Sequence, residues 1–230
     1  MRSAILVLVF LILTVLAIPV LLVCALFGLR DVFLVYGRWM MRVGRCILGI
    51  DLAVAGLDRL DRGTPTIFMC NHLSFLDAPA LVTVIDRPVR SIVKRFVFRI
   101  PVFGWGMRLA GFVPVDKEGI GEGRKRIARA SGLIREKGYS FLVFPEGQRS
   151  WDGRLQRFRR GGFFLALDAG APIVPVSIAG TFELMPRVSR RVRRGHVRIV
   201  FHEPIASAGF SPKTMPELME RVRAAIASAL

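Results

Sequence analysis

Residues 3–29 run for 27 positions without a charged side chain. As an α-helix such a stretch reaches about 40 Å, against a bilayer hydrocarbon core of roughly 30 Å. It exceeds the apolar region of about 7–15 residues found in cleaved signal peptides, so it is expected to be retained. Pro19 removes one helical hydrogen bond and strains the preceding turn, which leaves open both a kinked span and a hairpin dipping into one leaflet. Next come Arg30, Arg38, Arg42 and Arg45, opposed only by Asp31. This flank bias puts the remainder of the chain on the cytoplasmic side. Arg38, Arg42 and Arg45 recur at helical spacing, with Phe33, Leu34, Tyr36, Met40 and Met41 largely on other faces. That pattern predicts an interfacial helix lying on an anionic membrane surface; the alternative is a core helix with a solvated basic edge.

Over 230 residues, 34 Lys and Arg against 17 Asp and Glu give a net charge of +17, and 53% of residues are hydrophobic. So apolar a composition excludes a disordered chain and argues against a soluble basic nucleic-acid-binding module; no nucleic acid partner is expected. Cys24, Cys46 and Cys70 lack the paired spacing of a metal site and read as reduced thiols, Cys70 as strand packing.

From residue 51 the pattern becomes short apolar strands alternating with helices, the signature of an α/β fold. Strands are expected at 52–55, 66–70, 91–94, 112–115, 140–144, 173–177 and 197–201. Helices are expected at 78–85, 102–109, 124–137, 161–169 and 216–229. The reading is a mixed sheet flanked by helices. Residues 1–50 form the membrane-embedded anchor and interfacial helix, and 51–230 form one catalytic domain. Gly119-Ile120-Gly121-Glu122-Gly123 sits where a dinucleotide fingerprint would, but position 124 is Arg, so it reads as a flexible turn into a basic helix.

The chemistry begins at Asn71-His72-Leu73-Ser74-Phe75-Leu76-Asp77, directly after a predicted strand. On one continuous helix, residues five apart diverge by about 140°. His72 and Asp77 meet only if His72 sits on the loop leaving the strand and Asp77 at the first helical turn, which Pro79 suits. The carboxylate then fixes the imidazole tautomer and frees the other nitrogen as a base. His196 and His202, near an edge-like strand, read as structural, and no metal is expected. A second cluster, Phe144-Pro145-Glu146-Gly147-Gln148-Arg149-Ser150, places a carboxylate, a glycine and an arginine at the carboxyl end of a strand, where α/β proteins bind ligands. Arginine's planar fork suits phosphate.

These residues resemble the 1-acyl-glycerol-3-phosphate acyltransferases and their glycerolipid acyltransferase relatives. His72 and Asp77 look like the first family motif, Gly111-Phe112-Val113-Pro114-Val115-Asp116-Lys117 the second, and the cluster at 144–150 the third. Ile173-Val174-Pro175-Val176 is similar to the fourth, and Phe158-Arg159-Arg160-Gly161 resembles the basic link between the last two. Order and separation fit over most of 65–180. The second motif usually closes on Arg where this chain has Lys117, which keeps the charge but loses the fork, and Gln148 stands where Thr is usual.

The resemblance implies acyl transfer from an acyl thioester, acyl-CoA or acyl carrier protein, to the sn-2 hydroxyl of lysophosphatidate, with no resident cofactor. His72 would act as general base, a role typically contributing about 10²–10⁴-fold, with Asp77 steadying the imidazolium. No Gly-x-Ser-x-Gly elbow is present, which favours direct transfer over an acyl-enzyme. Arg149, helped by Lys94 and Lys117, would hold the acceptor phosphate, and Glu146 would bind the glycerol portion or orient Arg149. A backbone amide near Gly147, or at the start of the helix after His72, is the candidate oxyanion donor. The basic run Arg187, Arg190, Arg191, Arg193, Arg194 and Arg198 fits lipid headgroups, an acidic carrier protein or the phosphates of coenzyme A. Two rivals stand: an enzyme for another lysolipid, such as lyso-ornithine lipid, and a non-catalytic basic membrane scaffold.

Overall fold

The computed structural model describes residues 2–115, 120–189 and 191–230. Seven strands, β1 (Ile50–Ala55), β2 (Ile67–Cys70), β3 (Val89–Lys94), β4 (Val113–Val115), β5 (Ser140–Val143), β6 (Ile173–Ala179) and β7 (Gly195–Phe201), form one sheet in the order β1-β7-β6-β2-β5-β3-β4. From β6 through β2, β5 and β3 to β4 every pairing is parallel. β7 runs antiparallel to β6 and carries β1 parallel to itself, so the sheet is mixed. All seven strands lie within two residues of their expected limits.

β2 and β6 are the central strands, and their apolar runs are covered on both faces, as parallel strands between helical layers require. Side-chain alternation divides the core. Phe68 and Cys70 face one layer with Leu81 of α3 (Asp77–Val84) and Ile85 just after it. Ile67 and Met69 face the other, with Ile134 of α5 (Ile120–Lys137), Phe163 of α6 (Gly161–Ala169), and Leu218 and Val222 of α8 (Met215–Ala227). The turn expected at 119–123 lies partly outside the described residues. Cys70 is buried in the sheet, and burial pushes its thiol well up, the chemistry of a packing residue.

The amino-terminal segment is two helices, α1 (Arg2–Phe27) and α2 (Arg30–Leu48), joined by a reversal at Gly28. Leu6 and Phe10 of α1 close on Gly44 of α2, and the Tyr36 hydroxyl donates to Leu13 O. The basic residues of α2 reach the domain's own carbonyls. Arg38 donates to Arg87 O at 2.6 Å, Arg42 to Thr83 O at 3.3 Å and Arg45 to Ile50 O at 2.8 Å. The last carbonyls of α3 have no partners within their own helix and sit at its negative dipole end, so they recruit a guanidinium. At the other end of α2, Asp31 pairs with Arg90, a β3 residue only 2% exposed, which also donates to Ala110 O and stacks on Tyr139. Phe33 lies against Gly106 of α4 (Phe103–Leu109), where a Cβ would sit 1.9 Å from its ring. α2 is thus fastened to the domain from end to end.

Candidate active site

Parallel pairing of β2 with β5 on one side and β6 on the other brings three loops to one end of the sheet. As β2 leaves the sheet, the buried Asn71 side chain extends its pairing with β6: Nδ2 donates to Ile178 O and Oδ1 accepts from Ile178 N, both at 2.8 Å. That clip sets where the chain turns and where His72 emerges.

The imidazole of His72 is stacked on Phe144, ring centroids 4.0 Å apart, with its side chain 20% exposed. Its Nδ1 lies 2.8 Å from Oδ2 of Asp77, the first residue of α3, as the five-residue spacing anticipates. Asp77 is fully buried and surrounded by donors. Oδ2 also accepts from Leu73 N at 2.7 Å and Ser74 N at 2.8 Å, and Oδ1 accepts from Thr181 Oγ1 at 2.6 Å. An ionised carboxylate only accepts, so the bond requires the proton on Nδ1 and leaves the lone pair on Nε2. Among the described residues no side chain meets Nε2.

The backbone of His72 is held on both sides by the loop after β5. Its N–H donates to Glu146 Oε1 at 2.7 Å, and its carbonyl accepts from Ser150 N at 2.8 Å. Glu146 Oε2 accepts from Gln156 N at 3.1 Å. Glu146 is thus engaged by two backbone N–H groups. It is 2% exposed, has no bond to Arg149, and turns inward because two backbone N–H groups need an acceptor there. Burial pushes its carboxyl up, against the opposing pull of those two N–H donors. Gly147 is likewise structural. It has φ +72°, a conformation that favours glycine, and its N–H is engaged by Phe144 O at 3.0 Å rather than free for an oxyanion.

Arg149 lies over the ring of Phe75, within the His72–Asp77 loop, at 3.5 Å. Partial burial and the neighbouring Arg187 hold its pKa below the usual arginine range, while Asp77 pulls the other way. Lys94 ends β3, exposed, at the same end of the sheet two strands from β2. Lys117 and Arg190 lie outside the described residues. Of the remaining basic run, Arg191, Arg193, Arg194 and Arg198 are exposed, and Arg198 donates to Ala229 O. His202 bonds Ser177 Oγ at 2.8 Å, and exposed His196 lies 3.7 Å from Asp51; neither approaches the dyad.

Sequence reasoning missed Thr181, which opens the short helix α7 (Thr181–Leu184), and the bond that the Ser74 hydroxyl donates to Met185 O at 2.8 Å. These two bonds fasten the segment after β6 to the Asp77 loop. No local pattern announces them, because the partners lie more than a hundred positions apart.

The family model described as acyltransferase matches residues 51–179. A chloroplastic 1-acyl-sn-glycerol-3-phosphate acyltransferase of Brassica napus is 38% identical over 154 residues, covering 66% of this chain and 44% of that protein. The chain thus spans less than half of that relative's length. The 1-acyl-sn-glycerol-3-phosphate acyltransferase alpha of Homo sapiens is 29% identical over 211 residues, 92% of this chain and 74% of that protein. The fold is shared with the crystal structure of the 1-acyl-sn-glycerophosphate acyltransferase PlsC from Thermotoga maritima, with a TM-score of 0.76 and 24% identity over 100% of this chain and 97% of that one. With the family model covering more than half its length, this chain belongs to the acyltransferase family.

Proposed function

We propose that the protein is a membrane-bound 1-acyl-sn-glycerol-3-phosphate O-acyltransferase that makes phosphatidate. The observation carrying this reading is the His72–Asp77 dyad, its tautomer set by a buried carboxylate and its Nε2 free, at the sheet end that also carries Arg149. Nε2 takes the proton of the sn-2 hydroxyl as that oxygen attacks the thioester carbonyl. The tetrahedral adduct collapses with cleavage of the C–S bond, and the departing thiolate receives the proton from the imidazolium. One C–O bond forms, one C–S bond breaks, and His72 is regenerated. Asp77 stabilises the imidazolium that exists between these transfers. The steps use side chains and the thioester alone, so neither a metal nor a resident cofactor enters them. Arg149, Lys94 and Lys117 bind the acceptor phosphate, and acyl-CoA and acyl carrier protein are the donor classes.

The membrane reading rests on α1. Residues Ile5–Phe27 are long and apolar enough to cross a bilayer, and Leu8, Leu11, Val15, Leu22 and Leu26 are exposed. Because α2 is fastened along its length to the charged domain, α1 cannot stand across the bilayer without drawing that domain in. We therefore read α1 as lying in one leaflet, with the site on the cytoplasmic face. Purified protein incubated with lysophosphatidate and either donor should yield phosphatidate by mass. His72→Ala should abolish the product without lowering the melting temperature by more than a few degrees. Absence of product from the wild-type protein with both donors would remove this function.

A further inference from the structure

The guanidiniums of Arg149 and Arg187 cross-brace each other. Arg187 Nη1 donates to Arg149 O at 2.6 Å, and Arg149 Nη1 donates back to Arg187 O at 3.4 Å. Each lies over an aromatic ring: Arg149 over Phe75 at 3.5 Å, Arg187 over Trp151 at 3.8 Å. Those rings are 60% and 63% exposed, so the pair borders open solvent. Among the described residues neither arginine is salt-bridged to a carboxylate. Two like charges are therefore held together by neutral carbonyls and π faces, which fix position without cancelling charge. Each guanidinium has five N–H donors, most of them still available. The segment carrying Arg187 is fastened to the dyad by Thr181 on Asp77 and by Met185 O on Ser74, so Arg187 belongs to the same wall as His72.

We propose that Arg187 is a further cation of the acceptor-phosphate site, beside Arg149, Lys94 and Lys117, and that the Arg149–Arg187 pair selects a phosphomonoester over a phosphodiester headgroup. This rests on the acyltransferase reading above. A phosphomonoester carries about −1.5 to −2 charges near neutrality and three terminal oxygens, enough to engage both forks. A phosphodiester has one charge and two free oxygens, and satisfies only one fork well. The same terminal phosphate chemistry occurs on coenzyme A, so the test separates the two sources.

The experiment is steady-state kinetics of full-length Arg187→Gln and Arg187→Lys, varying lysophosphatidate, lysophosphatidylglycerol and acyl-CoA in turn. A parallel thermal-shift titration uses glycerol 3-phosphate. Losing a charge-assisted contact of this kind should raise KM for lysophosphatidate about 10- to 100-fold in Arg187→Gln. KM for lysophosphatidylglycerol and for acyl-CoA should change far less, so monoester preference shrinks by the same factor. Arg187→Lys should fall between. Glycerol 3-phosphate should stabilise the wild type more than either variant. A rise in KM for acyl-CoA alone would assign the anion to the donor, and an unchanged lysophosphatidate KM would leave Arg187 outside the site; either overturns the proposal. If wild-type protein makes no phosphatidate, the enzymatic reading fails first, and the glycerol 3-phosphate shift still decides whether Arg187 binds a phosphomonoester. Should Arg187→Gln unfold, Arg187→Lys carries the same comparison, with the charge kept and the fork removed.

Discussion

Replacing Asp77 by Asn separates charge from shape at the centre of the site. In the buried pocket an amide oxygen in the place of Oδ2 still accepts from His72 Nδ1, Leu73 N and Ser74 N. The amide nitrogen then faces Thr181 Oγ1, which is able to accept. The opposite amide orientation would aim a donor at three donors and is excluded. Asp77→Asn therefore keeps the fold and the histidine tautomer, and removes only the negative charge. At about 4 Å between charge centres and an effective dielectric of about 20, that charge stabilises an imidazolium by about 4 kcal/mol. At about 1.4 kcal/mol per tenfold, kcat should fall by roughly 10³, with the acceptor KM nearly unchanged. Asp77→Ala differs, because it leaves two buried backbone N–H groups without acceptors, at about 1–3 kcal/mol each, and should lower the melting temperature as well. The assay is phosphatidate formation at saturating acceptor, paired with thermal melting. If Asp77→Asn keeps more than a tenth of wild-type kcat, the carboxylate only shapes the loop and the mechanism is wrong.

Glu146→Gln puts an amide NH₂ against either His72 N or Gln156 N, so it should reduce kcat by tenfold or more while the protein stays folded by circular dichroism. Since burial raises the Glu146 pKa above its ordinary 4.5, the folded state holds the extra proton in that window. The melting temperature of wild type relative to Glu146→Gln should therefore fall as pH rises through it; a constant or widening difference contradicts the assignment. Thr181→Val removes one bond to Asp77 and should cost about 1 kcal/mol in urea melts and several-fold in kcat, with Thr181→Ser restoring both. Burial, then the neighbouring Arg59, hold the His202 pKa below its ordinary 6.5, so its contribution to stability is present above that value and lost as pH falls. His202→Asn should flatten that acid limb of a melting-temperature profile. Asp31→Ala leaves Arg90 inside the sheet without its counter-charge; Asp31 itself is largely exposed, so a loss of about 1–2 kcal/mol is expected, seen as faster proteolysis between α1 and the domain.

How much the residues disclosed follows the range of each interaction. The strands were legible because side-chain alternation and apolar runs are local properties, and a chain of alternating strands and helices has few ways to cover both sheet faces. The His72–Asp77 pair was legible for the same reason: five positions fix whether two side chains can meet once a strand end and a helix start lie between them. Glu146 was found but misread. Its carboxylate closes a bond to a backbone amide 74 positions away, which no local pattern encodes. Arg38, Arg42 and Arg45 show the converse limit, since helical periodicity establishes that three cations share a face but not what that face meets. In the fold that face meets backbone carbonyls: Thr83 O near the end of α3, Arg87 O beyond it and Ile50 O of β1.

The order β6-β2-β5 explains why the site is built as it is. The loop leaving β2 carries His72, and the two neighbouring strands supply what immobilises it: the loop after β5 grips the His72 peptide through Glu146 and Ser150, while the segment after β6 grips Asp77 through Thr181. The imidazole is thus oriented by contacts from both flanks, with its ring laid on Phe144. On the proposed mechanism, a ring so constrained needs the acceptor hydroxyl delivered to Nε2 by the substrate's other end, since it has little freedom to search. Each flanking segment also brings one arginine of the cross-braced pair, Arg149 from the β5 side and Arg187 from the β6 side. The elements that hold the imidazole in register are the same ones that set the distance between it and those cations, so a shift of either loop disturbs both together.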